Sequence, residues 1–108
     1  MTTELKERIE NFACADALGS SALIGPNRRS QFNGTPGSDY QFLLTNQDDK
    51  YSCRFELFRG NTCFRCETIK PKHTLEIDLT MDNQGTVTIV NYTSTGIDNR
   101  PMLHVQCS

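Results

Sequence analysis

The sequence has no tryptophan, little net charge and no long hydrophobic run. Its formal charge of −2 gives no general attraction for phosphate backbones or anionic lipids, which argues against non-specific binding to nucleic acids or membranes. No segment approaches the roughly 18 consecutive apolar residues that a membrane-spanning helix needs. The N-terminal stretch MTTELKERIENF is charged where a secretory signal is apolar, so we expect a cytoplasmic protein.

Sequence signatures of catalysis are also absent. There is no glycine-rich loop of the Gly-x-x-x-x-Gly-Lys kind, no serine nucleophile motif and no pair of metal-protease histidines. His73 and His104 each fall in a strand-like segment, where a half-buried structural histidine is commoner than a base or a metal ligand. We therefore expect a protein without enzymatic activity.

The five cysteines include one Cys-x-x-Cys, formed by Cys63 and Cys66, which raises the alternatives of a metal site and a redox pair. A structural zinc ion needs four ligands, and no second Cys-x-x-Cys completes the set. A redox pair of this kind lies at a helix N-terminus, and no helical pattern follows Cys66. In a cytoplasmic protein the simplest expectation is five free thiols, with no metal and no cofactor.

The 108 residues fit one domain, because a second core would be too small to be stable alone. The first periodic segment is helical. In residues 3–18, Leu5, Ile9 and Phe12 fall on one stripe, and Gly19 follows where a left-handed terminator is favoured. We predict a helix over 3–18 that packs on a sheet.

Residues 25–39 are predicted to form a long loop, since proline, glycine and asparagine interrupt both helical and strand periodicity. Loops of this length are uncommon and often functional. Guanidinium groups such as those of Arg28 and Arg29 suit phosphate or carboxylate recognition. Phe32 either anchors the loop in the core or presents an aromatic ring to a partner, and the sequence leaves both open. The candidate binding residues are Arg28, Arg29, Gln31, Phe32 and Asn33, together with Arg100 from a second polar loop.

From residue 40 onward, apolar and polar residues alternate. In HTLEIDLTM, residues 73–81, Leu75 faces one side while Glu76 faces the other. Short turns join these segments, which favours antiparallel neighbours because parallel strands need long crossovers. The predicted fold is therefore α+β, with the N-terminal helix packed on a five- or six-stranded antiparallel meander over residues 40–107 that can curl into a half barrel.

The segments 51–59 and 62–69 are predicted to form a hairpin. Gly60-Asn61 suits a two-residue type II′ turn, which has glycine at its first central position. In a regular strand Cys63 and Cys66 point to opposite faces, so they would not share an ion. The predicted pairs are Arg59–Thr62, Phe58–Cys63, Leu57–Phe64, Glu56–Arg65, Phe55–Cys66 and Arg54–Glu67.

For function, we expect a small non-enzymatic inhibitor or adaptor that presents a sheet edge, the 25–39 loop and nearby aromatic residues to another protein. Phage and mobile-element antagonists of host machinery are often of this kind. The alternative is a small-molecule sequestering protein in which Arg28 and Arg29 enclose an anionic or nucleotide-like ligand. An enzyme ranks third. An exposed edge strand would also allow a homodimer.

Overall fold

The computed structural model describes residues 9–13, 20–93 and 100–107. Within these ranges the chain forms nine β-strands, and none of these residues is helical. The described part of the chain accordingly offers no helix that could cross a membrane. The strands are β1 (Ile9–Ala13), β2 (Ser20–Ile24), β3 (Arg28–Asn33), β4 (Asp39–Asn46), β5 (Cys53–Arg59), β6 (Thr62–Ile69), β7 (Thr74–Thr80), β8 (Thr86–Asn91) and β9 (Leu103–Cys107).

The strands form a β-sandwich of two sheets. Sheet A has five strands in the order β1-β3-β8-β5-β6, and sheet B has four in the order β2-β9-β4-β7. The β1–β3 pair is parallel, and the other neighbouring pairs are antiparallel. The predicted α+β meander is therefore wrong. Its short turns mostly carry the chain from one sheet to the other, and only β5 and β6 are neighbours in both sequence and sheet.

The predicted N-terminal helix is contradicted by β1. Residues 9–13, inside the predicted helix 3–18, are extended and pair with residues 29–33 of β3. The remainder of 3–18 lies outside the described residues. The apolar residues of the predicted stripe are too few to distinguish the helical period from the strand period. In the structure, pairing with the edge of β3 makes residues 9–13 a strand.

The predicted loop 25–39 is also wrong, because it contains β3. A turn in which the amide of Arg28 donates to the carbonyl of Gly25 leads into the strand, which then pairs with β8. Ser30 and Phe32 are buried inward-facing residues. The strand contains only one large apolar residue, Phe32, so its sequence shows no alternation of apolar and polar residues from which a strand could be predicted.

The core lies between the two sheets and is rich in phenylalanine. Phe32 of sheet A and Phe42 of sheet B meet edge to face, with ring centroids 5.5 Å apart. Burying a large apolar side chain contributes about 1.5–3 kcal/mol to the free energy of unfolding. The contact between these two buried rings therefore helps to hold sheet A against sheet B. Other fully buried core residues are Leu44, Phe55, Leu57, Ile89, Leu103 and Val105.

One end of the sandwich is held by the buried side chain of Asn91. Its Nδ2 donates to the carbonyls of Ile24 and Pro101, both at 2.9 Å, and its Oδ1 accepts from the hydroxyl of Thr93 at 2.6 Å. These bonds join β8 to the end of β2 and to the segment before β9. Buried polar groups left unpaired cost about 1–3 kcal/mol each, so the carboxamide fixes this junction.

The β5–β6 hairpin confirms the predicted turn. Gly60 has φ of +60°, and Arg59 lies opposite Thr62. Phe58 lies opposite Cys63, as predicted.

Beyond that point a β-bulge at Phe64 shifts the register by one residue. The other four predicted pairs are wrong: the observed pairs are Leu57–Arg65, Glu56–Cys66, Phe55–Glu67 and Arg54–Thr68.

The bulge replaces the expected cross-strand ion pairs with pairs along each strand. Arg65 Nε donates to Glu67 at 2.6 Å within β6, and Arg54 lies 4.0 Å from Glu56 within β5. Exposed ion pairs are worth about 0–1 kcal/mol, which is too little to set a register. Phe64 is the extra residue of the bulge, and its ring packs against the guanidinium of Arg59 in β5.

Candidate binding face on the outer side of sheet A

The outer faces of the two sheets differ in charge. Across β3, β8, β5 and β6, the outward-facing charged residues of sheet A are Arg29, Arg54 and Glu56. Those of sheet B are three carboxylates, Asp39, Glu76 and Asp78. These described side chains therefore make sheet A slightly basic on its outside and sheet B acidic.

A groove of about 180 Å³ lies on the outer face of sheet A, and we call it the sheet A groove. It crosses three strands that are distant in sequence, with the turn at Gly60 at one end. Tyr92 is 43% exposed, which is high for a large ring. The groove is lined by Arg29, Glu56, Phe58, Thr88, Val90 and Tyr92.

Arg29 is the least satisfied polar group in this groove. Its Nε is buried and has no hydrogen-bond partner among the described residues, and the salt bridges found there do not include it. Arg59 Nε is also unpaired, but Arg59 donates through Nη2 to the carbonyl of Thr80 at 2.8 Å and lies 4.6 Å from the ring centroid of Phe64. Because the protein encloses the Nε of Arg29, an incoming acceptor would bind the terminal Nη nitrogens of Arg29, which form no salt bridge with the described residues.

The structure separates the residues predicted to bind on the 25–39 segment. Arg28 is exposed at the start of β3 and does not line the sheet A groove. Gln31 and Asn33 share the outer face with Arg29 and are hydrogen-bonded to each other at 3.2 Å. Phe32 is fully buried, which selects its role as a core anchor.

Arg100, the remaining predicted binding residue, is engaged elsewhere. Its Nε and Nη2 donate to the carboxylate of Asp48 at 2.6 and 3.1 Å, and it lies over the ring of Tyr51 at 5.1 Å. The hydrogen bond from Arg100 holds the pKa of Asp48 well below its usual range, with support from the amides of Tyr51 and Lys50 and against the effect of burial. Arg100 thus fixes the connection between β4 and β5.

The cysteines do not all remain free. Cys107 is disulfide-bonded, so the expectation of five free thiols is wrong. Cys53, Cys63 and Cys66 are free. Burial raises the pKa of the Cys53 thiol to about 11, against the opposing hydrogen bond from Thr93, which makes it a neutral core residue.

Neither histidine belongs to a group of metal ligands in the part of the chain that the structure describes. His73 is exposed, with Nδ1 2.9 Å from the carbonyl of Pro71, and His104 is half-buried on the outer side of sheet B. Within the described ranges, no three or more histidine, cysteine or acidic residues are grouped for a metal ion.

Sequence reasoning missed the aromatic part of the sheet A groove. Thr88, Val90 and Tyr92 continue one face of β8, so extending the period of two past the end of that strand would have grouped them. Their meeting with Phe58 and Arg29 depends on strand order, which no local pattern encodes.

No family model and no curated protein matches the sequence. Among solved structures, the chain is similar to the pre-peptidase C-terminal domain of a collagenase from Bacillus anthracis, with a TM-score of 0.59 and 11% identity over 94% of this chain and 95% of that one. It is also similar to part of a β-glucosidase from Paenibacillus barengoltzii, with a TM-score of 0.52 and 4% identity over 92% of this chain and 11% of that one. At these identities the likeness shows a shared β-sandwich fold.

Proposed function

We propose that this chain is a non-enzymatic binding domain, an inhibitor or adaptor, that attaches to another protein through the sheet A groove. The observation that supports this most is that Arg29, which forms no salt bridge with the described residues, lines the same groove as the exposed ring of Tyr92. Buried aromatic and arginine anchors supply most of the affinity in protein interfaces. The groove offers one arginine, Arg29, and two aromatic residues, Phe58 and Tyr92.

The partner surface that fits is acidic, with an adjacent apolar side chain. A carboxylate can accept a charge-assisted hydrogen bond from Arg29, while an apolar group packs on Tyr92 and Phe58. The acidic outer face of sheet B repels the same partner, so electrostatics favour approach to sheet A.

A small anionic ligand in the same groove is the second candidate, since Arg29 would bind it as well. The volume of about 180 Å³ argues against it, because small-molecule pockets usually enclose about 300–1,000 Å³. Arg28, which the ligand hypothesis also used, does not line the groove.

The disulfide of Cys107 bears on where such a domain acts. Disulfides persist in oxidising compartments and are rare in the cytoplasm. We therefore favour a location outside the cytoplasm over the cytoplasmic one expected from the N-terminal sequence.

Selection of a random peptide library on the immobilised protein tests the proposal. Enriched peptides should contain an acidic residue next to an apolar one. Arg29→Ala should weaken the best peptide by roughly 30-fold, equivalent to a hot-spot loss of about 2 kcal/mol. Binding should fall much less for the matched control Arg28→Ala, whose side chain is exposed outside the groove.

Two outcomes would overturn the proposal. One is enrichment of peptides without acidic residues, and the other is equal affinity for the Arg29→Ala and wild-type proteins. A thermal shift with citrate or nucleoside triphosphates that is lost in Arg29→Ala, in the absence of any peptide selection, would favour the small-ligand alternative.

A further inference from the structure

The bulge in β6 changes the relation between the two thiols of the Cys-x-x-Cys. Cys63 lies opposite Phe58 and Cys66 opposite Glu56, and these two partners share the outer face of β5. Both thiols therefore point to the outer side of sheet A, which corrects the prediction that they face opposite ways. Both are also free and exposed, and we call them the dithiol pair.

The spacing of the dithiol pair suits a bridging atom better than a direct bond. Because of the bulge, the three residue intervals from Cys63 to Cys66 in β6 lie alongside only two intervals, Phe58 to Glu56, in β5. The Cα atoms of Cys63 and Cys66 are therefore roughly 7 Å apart or slightly more. A disulfide usually needs about 4.4–6.8 Å, which agrees with both thiols being free. The described residues add no third ligand of the histidine, cysteine or carboxylate type, as tetrahedral zinc would require.

We propose that the dithiol pair binds one soft monovalent cation, Cu(I), in linear two-coordinate geometry. Soft thiolate ligands favour Cu(I), zinc and iron–sulfur clusters, and of these Cu(I) suits a site with two thiolates and no further ligand. With metal–sulfur bonds of about 2.3 Å, the two sulfurs would be separated by roughly 4.5 Å, which side chains on one strand face can reach. On binding, each thiol releases its proton to solvent, and no electron is transferred.

A neighbouring arginine suits the charge of this complex. Two thiolates and one Cu(I) carry a net charge of −1. Arg54 Nη2 lies 3.7 Å from Cys66 Sγ, on the same outer face. The guanidinium therefore offsets part of the negative charge of the bound state, and the rest of its charge is shared with Glu56, which lies 4.0 Å from Arg54 and opposite Cys66. This proposal does not depend on the sheet A groove.

Anaerobic titration with Cu(I), in competition with the chromophoric chelator bicinchoninate, tests the site. The wild-type protein should bind one equivalent. Cys63→Ser and Cys66→Ser should each weaken binding by at least about 100-fold, since changes outside the ligand shell alone cost about 10- to 100-fold. Arg54→Gln should fall between these variants and the wild type.

The double variant Arg65→Cys/Cys66→Ser is the matched control. It keeps two cysteines in β6, at positions 63 and 65, but the bulge places them on opposite faces, so it should not bind tightly. Retained affinity in this variant, or in either single serine variant, would overturn the proposal, because each lacks the dithiol pair and the other free thiol among the described residues, Cys53, is buried. Unchanged thermal unfolding of each variant confirms that it is folded.

Discussion

At the scale of single residues, the connection between β4 and β5 depends on one carboxylate. Asp48 accepts from the guanidinium of Arg100 and from the backbone amides of Lys50 and Tyr51. Its neighbour Asn46 is fully buried and donates through Nδ2 to the carbonyls of Tyr51 and Ile69. The polar groups of this connection are thus tied to one another and to the end of β6.

The lowered pKa of Asp48 predicts a pH dependence of stability. Because the folded pKa lies below the ordinary value of about 3.9, the carboxylate stabilises the fold above that value, and this contribution is lost as pH falls through it toward the folded pKa. We expect Asp48→Asn to unfold more easily than wild type in urea at pH 6, with the difference shrinking by pH 2.5. A difference that stays constant with pH would contradict this, and the exposed Asp78→Asn is the control.

At the scale of elements, the β5–β6 hairpin depends on a turn that only glycine enters freely. Gly60 has φ of +60°, and a Cβ there would meet no neighbour, so any penalty comes from the backbone alone. We expect Gly60→Ala to lower the free energy of unfolding by about 1–2 kcal/mol, the cost of a left-handed conformation for an L-residue.

Gly25→Ala is the matched control for this turn. Gly25 has no positive φ, and its added Cβ would make an ordinary contact of 3.5 Å with Met102 Sδ. Chemical denaturation should show a much smaller change for this variant. Equal losses in the two variants would mean that the turn conformation does not matter.

The same hairpin shows how far local sequence reaches. The segment 62–69 and the turn at Gly60-Asn61 were predicted correctly, because alternation and turn chemistry are local signals. The bulge was not, since charge pairing favoured the regular register and exposed ion pairs are too weak to decide. The division of the strands between two sheets could not be predicted from the sequence either. Alternation shows which face of a strand is buried but not which sheet contains the strand.

At the scale of the whole molecule, the candidate site is built by topology. Arg29, Glu56 and Val90 come from three strands brought side by side by the order β3-β8-β5. The sequence indicated Arg29 as a binding residue but grouped it with Arg28. The two side chains point to opposite faces of β3, because they are adjacent in the strand. The partners of Arg29 in the groove became visible only with the strand order.

The opposite charges of the two outer faces predict how binding responds to salt. The affinity of an acidic peptide should fall as ionic strength rises from about 0.05 to about 0.5 M, because the screening length of exposed charges shortens from about 14 Å to about 4 Å over this range. Arg29→Ala should show a shallower dependence, measured by fluorescence anisotropy. A salt response that is identical in the two proteins would place the peptide elsewhere on the surface.

The order of strands also governs when the fold can form. The interior strand β8 joins β3 to β5, and the interior strand β9 joins β2 to β4, yet these are the last two strands along the chain. During synthesis on the ribosome, the earlier strands emerge without the neighbours that complete their sheets. The native sandwich therefore forms only after β8 and β9 have both been synthesised, and before that the unpaired edges of the earlier strands are prone to aggregation.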